Sequence, residues 1–131
     1  MKYNKIKKFC NSAGIKLPLN WYSHCNTIRP TKGMETANHF MYKARVGFEI
    51  MAQGGTIFTE FEFHRGGNDK RMKYPVSDLF WLDEKMVIEF ESRFNSKVAE
   101  LKHEQFKPYN CLVFDIETRS IEDVLEKIGV I

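Results

Sequence analysis

The sequence lacks any apolar run long enough to cross a bilayer, and its basic N-terminus lacks the apolar stretch of a signal peptide. We therefore expect an intracellular protein with no membrane partner, in the cytoplasm or, for a viral protein, in the cytoplasm of the host. The sequence also lacks internal repeats and low-complexity linkers. Its 131 residues suffice for a single domain with a proper core.

Cysteine is scarce. Cys10, Cys25 and Cys111 have no CxxC spacing and cannot all pair, so neither a disulfide framework nor a zinc site is expected. Phenylalanine, in contrast, is abundant, with eleven residues in a chain that is 43% hydrophobic. This composition indicates an ordered globular protein rather than a disordered one.

The net charge of +3 is modest but unevenly distributed. Residues 1–16 contain five lysines and no acid, and a second basic cluster, HRGGNDKRMK, lies between two predicted strands. Basic segments beside an acidic centre suit a polyanion that approaches a bound cation. An ordinary solvated surface would give the same charge pattern.

Hydrophobic periodicity predicts an α/β protein with one order of elements. After a first helix and an irregular connection, a second helix precedes three strands, and a helix, a strand and a last helix follow. The predicted helices span residues 2–14, 35–53, 92–107 and 120–128, and the predicted strands span 56–63, 75–82, 85–91 and 110–116. We expect one compact unit, with residues 1–34 as an N-terminal helix and extension of the main domain, 35–131.

The segment SDLFWLDEKMVIEFES, residues 77–92, carries acids in its most strand-like part. If Asp83 and Glu84 form a two-residue turn, Asp78 lies opposite Glu89, with Cβ atoms about 5 Å apart. Glu91 then shares the face of Glu89, because strand side chains alternate. The sequence therefore predicts three carboxylates at one place.

Three adjacent carboxylates repel one another and raise one another's pKa, and a hard cation such as Mg²⁺ relieves this. The alternative is a hairpin with a solvent-facing acidic side. Against it, Val87, Ile88 and Phe90 are apolar on both faces of the second strand, which favours a covered strand. Glu60 and Glu62, on one face of the first predicted strand, join this cluster or face water.

The element order and this hairpin resemble the PD-(D/E)xK nuclease superfamily, which includes restriction enzymes and Holliday junction resolvases. Ser77-Asp78 corresponds to the first part of the motif, and Glu89-Phe90-Glu91 corresponds to the second. Glu91 replaces the family lysine, as in restriction endonucleases with Glu-x-Glu. The resemblance covers residues 35–118. It implies a restriction endonuclease-like core of helix, three-stranded antiparallel meander, helix and strand, with an extra N-terminal helix.

Further resemblances name more site residues. Gln105 and Tyr109 look like the QxxxY motif of RecB-like members, where both residues line the nuclease site. A helix with His39 and Lys43 is similar to the His-x3-Lys helix of archaeal and viral members, although His39 is equally a core or surface histidine. Glu49 is the alternative first-helix acid, as a metal ligand.

A lysine from the helix after Glu91 can replace the missing family lysine. Lys97 and Lys102 are the candidates, and Lys102 shares a helix face with Gln105. Both are also plausible as ordinary exposed helix lysines.

The resemblance implies hydrolysis of DNA phosphodiester bonds, with branched DNA such as a Holliday junction among the substrates. Asp78, Glu89 and Glu91 would bind Mg²⁺ or Mn²⁺, and cutting both strands would need a homodimer. The residues expected to contact DNA are Lys5, Lys7, Lys8, His39, Lys43, Arg65, Lys70, Arg71, Lys73 and Tyr109. The alternatives are a catalytically inactive DNA-binding module of the same fold, and an interaction protein with a phenylalanine-rich surface.

Overall fold

The structure, a computed structural model, describes residues 2–33, 35–64 and 74–131. Within these ranges it is an α/β structure with a four-stranded mixed sheet and four α-helices, and the predicted order of elements is confirmed. The helices are α1 (Lys2–Ala13), α2 (Ala37–Ala52), α3 (Ser96–Gln105) and α4 (Ile121–Ile128). The strands are β1 (Ile57–Glu62), β2 (Val76–Trp81), β3 (Met86–Glu91) and β4 (Asn110–Asp115).

The strands follow the order β1-β2-β3-β4 across the sheet. The first three form an antiparallel meander, and β4 returns through α3 to pair parallel with β3. In the β2–β3 hairpin, Leu79 pairs with Ile88 and Trp81 with Met86. This is the register predicted from a turn centred on residues 83 and 84, so the hairpin prediction is confirmed.

Side-chain caps define the helix ends. Thr36 accepts a hydrogen bond from the His39 N–H at the start of α2, and Ser120 accepts one from the Asp123 N–H at the start of α4. Helix α3 begins four residues later than the predicted residue 92, because Asn95 is extended and its side chain caps the Val98 N–H. Gly129 ends α4 with a φ of 83°, a conformation that favours glycine.

A hydrophobic core fills each face of the sheet. Alternation along the strands directs Leu79 to one core and Phe80 to the other. The first core lies against α2 and α4 and includes Val46, Ile50, Phe90, Val124 and Leu125. The second core includes Ile6, Cys10, Ile15 and Cys25, so the N-terminal segment packs directly on the sheet.

Strand β1 is irregular at Glu60, whose φ is 52°. In a regular strand, Phe58 and Phe61 would face opposite sides, yet both belong to the second core. The left-handed conformation at Glu60 therefore resets the alternation. As a result, Glu60 reaches Lys43 on α2, whereas Glu62 is exposed beside His64.

None of the helices within the described ranges combines the length and the apolar character needed to cross a membrane.

Candidate active site

The site lies where β2 and β3 separate. Their main-chain pairing runs from Trp81 to Leu79 on β2, and at the next position two carboxylates replace main-chain acceptors. The Asp78 N–H donates to Glu89 Oε2 at 2.5 Å, and the Phe90 N–H donates to Asp78 Oδ2 at 2.9 Å. These reciprocal bonds fix both carboxylates on neighbouring strands, as the hairpin register predicted.

Glu89 is buried, and Lys102 of α3 lies beside it. Lys102 Nζ donates to Glu89 Oε1 at 3.0 Å. Burial and the neighbouring Asp78 carboxylate raise the pKa of Glu89 to about 8, while Lys102 acts in the opposite direction. Burial alone would lower the pKa of Lys102, but Glu89 and more distant acids raise it above its ordinary value. Lys102 is therefore a cation at neutral pH, with 28% of its side chain exposed.

His39, near the start of α2, completes the site from the other side. Its Nε2 lies 3.2 Å from Asp78 Oδ2 and 3.1 Å from the Phe90 carbonyl oxygen. Its Nδ1 lies 2.5 Å from Glu35 Oε2. The hydrogen bond to Asp78, with a smaller contribution from Glu35, raises the pKa of His39 to about 9 against the effect of burial.

Behind His39 lies a buried ionic network. Lys43 Nζ, whose side chain is fully buried, lies 2.9 Å from Glu35 Oε2 and 3.2 Å from Glu60 Oε1. Thr31 joins both acids, since its hydroxyl donates to Glu60 and its N–H donates to Glu35. Burial alone would raise the pKa of Glu35, but the hydrogen bonds from Lys43, Thr31 and His39 lower it. Glu35 is therefore a carboxylate at neutral pH.

The two remaining acids predicted as metal ligands do not join Asp78 and Glu89 in these contacts. Glu91 is half-buried and pairs across the sheet with Asp115 of β4, from where its charge helps raise the pKa of Lys102. Glu49 forms an ion pair with Arg45 at 3.1 Å on α2. It follows His39 by ten residues, about 15 Å of helix, and its ion-pair partner is Arg45 rather than a residue around Asp78.

Of the other predicted catalytic side chains, Lys102 contacts Glu89, whereas Lys97 is exposed in the first turn of α3. Gln105 is exposed at the last residue of α3. Tyr109 packs among aromatic rings, with ring centroids 5.3 Å from Phe63 and 5.4 Å from Phe80. The QxxxY-like pair is thus divided between solvent and the second core.

The structure places the residues that were predicted to contact DNA in different environments. Lys43 is fully buried between two acids and cannot reach DNA, so that prediction was wrong. His39 lies in the site itself. Lys5, Lys7 and Lys8 are exposed on α1, but Lys5 lies beside Thr56 and Asp83, at the opposite end of β2 from Asp78. The remaining predicted contacts lie outside the described residues: Arg65, Lys70, Arg71 and Lys73.

Glu35 is the site residue that sequence reasoning missed. It precedes the helix cap Thr36, and it does not belong to the apolar positions that defined the predicted helix, so hydrophobic periodicity did not single it out. The available signal was the spacing of Glu35, His39 and Lys43, which are four residues apart and share one side of the helix start.

Neither a family model, nor a curated protein, nor a solved structure matches this chain. In the described part of the chain, no group of three or more His, Cys, Asp and Glu side chains is arranged as a ready-made metal site. The converging potential donors are instead two side chains, His39 and Asp78, and one main-chain oxygen, that of Phe90. Glu89 adjoins Asp78, whose N–H donates to its Oε2, and its Oε1 accepts from Lys102.

Proposed function

We propose that this chain is a metal-dependent DNA endonuclease with a restriction endonuclease-like core. The observation that carries the proposal is the convergence of Asp78, Glu89 and Lys102 at the point where β2 and β3 separate. A carboxylate pair next to a lysine, at the end of a hairpin, is the arrangement that the PD-(D/E)xK resemblance implies. The topology is compatible with it, since α2, an antiparallel meander, α3 and a parallel fourth strand follow in that order.

The distances around Asp78 suit a small divalent ion. Neighbouring ligands of an octahedral ion, each about 2.1 Å from the metal, lie about 3 Å from one another. His39 Nε2 is 3.2 Å from Asp78 Oδ2 and 3.1 Å from the Phe90 oxygen, so an ion that replaces the Nε2 hydrogen would find these three atoms at such a spacing. Oxygen donors suit Mg²⁺ and Mn²⁺, and the imidazole favours Mn²⁺ of the two. His39, Asp78, Glu89 and the Phe90 carbonyl would hold the ion.

A bound divalent ion supplies an activated water and neutralises the scissile phosphate. The protein's own contribution is positional. Backbone N–H groups orient Asp78 and Glu89, and Glu89 in turn orients the Lys102 ammonium. The exposed part of Lys102 can donate to a phosphate oxygen as negative charge develops on it, the role that a family lysine usually has.

DNA is the proposed polyanion. The exposed lysines of α1 and the basic segment 65–73 would contact the backbone, which makes binding strongly salt-dependent. One site in a chain of this size cuts one strand at a time, so cleavage of both strands or resolution of a four-way junction would require a homodimer.

One observation favours a second candidate, a catalytically inactive DNA-binding module of the same fold. Both Glu89 oxygens already have donors within the protein, the Asp78 N–H and Lys102. A Glu89 side chain with both oxygens satisfied in this way needs no metal. This candidate predicts DNA affinity that is indifferent to Mg²⁺ and no cleavage of any substrate.

The test is a cleavage assay with Mg²⁺ or Mn²⁺ against supercoiled plasmid, single strands and a synthetic four-way junction. Asp78→Ala is compared with wild type and with Glu84→Gln, which removes an exposed acid from the turn of the same hairpin. We expect metal-dependent cutting by the wild type and the Glu84 variant, and none by Asp78→Ala. Binding without cutting under all conditions would refute the nuclease and support the binding module.

A further inference from the structure

A continuous line of charged side chains leads from Asp78 into the interior of the protein. Asp78 contacts His39, His39 contacts Glu35, and Glu35 contacts Lys43. The line ends at Glu60 on β1, which contacts Lys43 at 3.2 Å. Five titratable groups from the segment before α2, from α2 and from two strands are therefore linked by direct contacts.

The inner part of this line has a free-energy cost, because it buries charge. Lys43 has no exposed surface, and a buried cation is tolerated where carboxylates and hydrogen bonds replace its water. Thr31 Oγ1 accepts from Lys43 at 3.2 Å and completes its shell. Glu60 contacts Lys43 from a left-handed backbone conformation inside a strand, a strained state for a residue with a side chain. Lys43 Nζ contacts Glu35 Oε2, the same oxygen that His39 Nδ1 contacts, so the buried lysine restrains the carboxylate beside His39.

Every contact on Glu35 comes from a donor. The Thr31 N–H donates to Oε1 at 3.0 Å, and the Lys43 ammonium donates to Oε2 at 2.9 Å. His39 Nδ1, at 2.5 Å from Oε2, must therefore carry the hydrogen that bonds to this carboxylate. The other ring nitrogen, Nε2, lies against the Asp78 carboxylate and the Phe90 carbonyl oxygen and donates to them, so a divalent ion would replace the Nε2 hydrogen while Nδ1 stays bonded to Glu35.

We propose that Glu35 is a positioning residue that, held in place by Lys43, fixes the orientation of His39 so that Nε2 faces the divalent ion. The inference rests on the proposed function, because it presupposes an ion at Asp78. Carboxylates that bind the second nitrogen of a metal-binding histidine set its tautomer and ring angle, and their loss typically weakens metal affinity by about 10- to 100-fold.

The experiment measures the Mn²⁺ dissociation constant by calorimetric titration of the full chain without DNA. Glu35→Gln should weaken Mn²⁺ binding by about 10- to 100-fold. Glu49→Gln is the matched control, because it removes a carboxylate of the same charge that pairs with Arg45 on α2 and takes no part in the contacts of His39 or Lys43. We expect it to leave the Mn²⁺ dissociation constant unchanged. Thermal unfolding of each variant reports whether it is folded.

A double variant separates positioning from a general structural role. If Glu35 acts through His39, Glu35→Gln should have no further effect on Mn²⁺ affinity in a His39→Ala background. A second full loss in that background would overturn the inference. Should Glu35→Gln fail to fold, Glu35→Asp retains the charge beside Lys43 and withdraws the carboxylate from His39, and the same loss of affinity is expected.

The outcomes distinguish the two proposals. A wild-type protein that binds no Mn²⁺ contradicts the proposed metal-dependent function. A wild-type protein that binds Mn²⁺, together with a Glu35→Gln protein that binds it equally well, contradicts the positioning role alone.

Discussion

Two lysines of this protein bind buried carboxylates, and their surroundings differ. Lys43 is fully buried between Glu35 and Glu60, with Thr31 as a further partner. Lys102 contacts Glu89 but keeps 28% of its side chain exposed. A cation that is surrounded by protein acceptors has a structural role, whereas a cation that is partly exposed can also bind a further anion. We infer that the network around Lys43 supports the structure of the site, and we propose that Lys102 would face a bound substrate.

The largest expected effect is on stability, and it concerns Lys43, the fully buried lysine of this pair. Lys43→Met leaves the partly buried carboxylates of Glu35 and Glu60 without their fully buried cation, and we expect the free energy of unfolding to fall by about 3 kcal/mol. Urea denaturation near pH 7 measures it. Lys102→Met is the matched variant and should lose clearly less, because Glu89 has a pKa near 8 and can take up a proton instead. Equal losses would remove the distinction between the two lysines.

The partly exposed lysine, Lys102, is tested by the cleavage rate. Lys102→Met should reduce the cleavage rate by about 10²- to 10³-fold, since a cation that stabilises charge in the transition state is lost. Single-turnover cleavage of the preferred DNA substrate measures this rate. Lys97→Met, exposed on the first turn of the same helix, serves as the control and should cleave at the wild-type rate. A Lys102 variant that cleaves normally would contradict the assignment.

An intermediate effect concerns pH. His39 has a folded-state pKa of about 9 against an ordinary value of 6.5, so its protonated form stabilises the folded protein. That contribution is fully present below pH 6.5 and is lost as the pH rises through 9. The difference in the free energy of unfolding between wild type and His39→Gln, measured without metal, should therefore shrink from pH 6 to pH 9. A difference that is constant or grows over this range would contradict the Asp78–His39 contact.

The smallest expected effect is at Glu49. Glu49→Gln breaks an ion pair with Arg45, whose side chain is half exposed, and should change the free energy of unfolding by no more than about 0.5 kcal/mol. It should also leave Mn²⁺ affinity unchanged, because Glu49 lies far along α2 from Asp78. Calorimetric titration of Mn²⁺ checks this, and a weakened affinity would return Glu49 to the site.

Local rules were sufficient where neighbouring residues decide the structure. The turn at residues 83 and 84 set the β2–β3 register and so brought Asp78 beside Glu89. Ser120 and Gly129 defined the ends of α4. The sequence predicted that a lysine of α3, Lys97 or Lys102, approaches β3. The choice of Lys102 could not be predicted, because it depends on the residue at which α3 begins.

Tertiary context decided the rest. The burial of Lys43 requires acids from the segment before α2 and from β1, which no local pattern links. The alternation of side chains along β1 changes at Glu60, because this residue has a left-handed backbone conformation inside the strand. A sequence pattern alone predicts regular alternation there. Tyr109 packs against Phe63 and Phe80 in the second core, although the sequence around it resembles a site motif.

Asp78, Glu89, His39 and the Phe90 carbonyl are proposed to form a divalent-ion site. The most direct test of this site is anomalous X-ray scattering from crystals soaked with Mn²⁺, for wild type and for Asp78→Ala. We expect one Mn²⁺ peak within coordinating distance of Asp78 and the Phe90 oxygen in the wild type, and none there in the variant. An intact wild-type site without Mn²⁺ at saturating concentration, with Lys102 still on Glu89, would contradict this proposal.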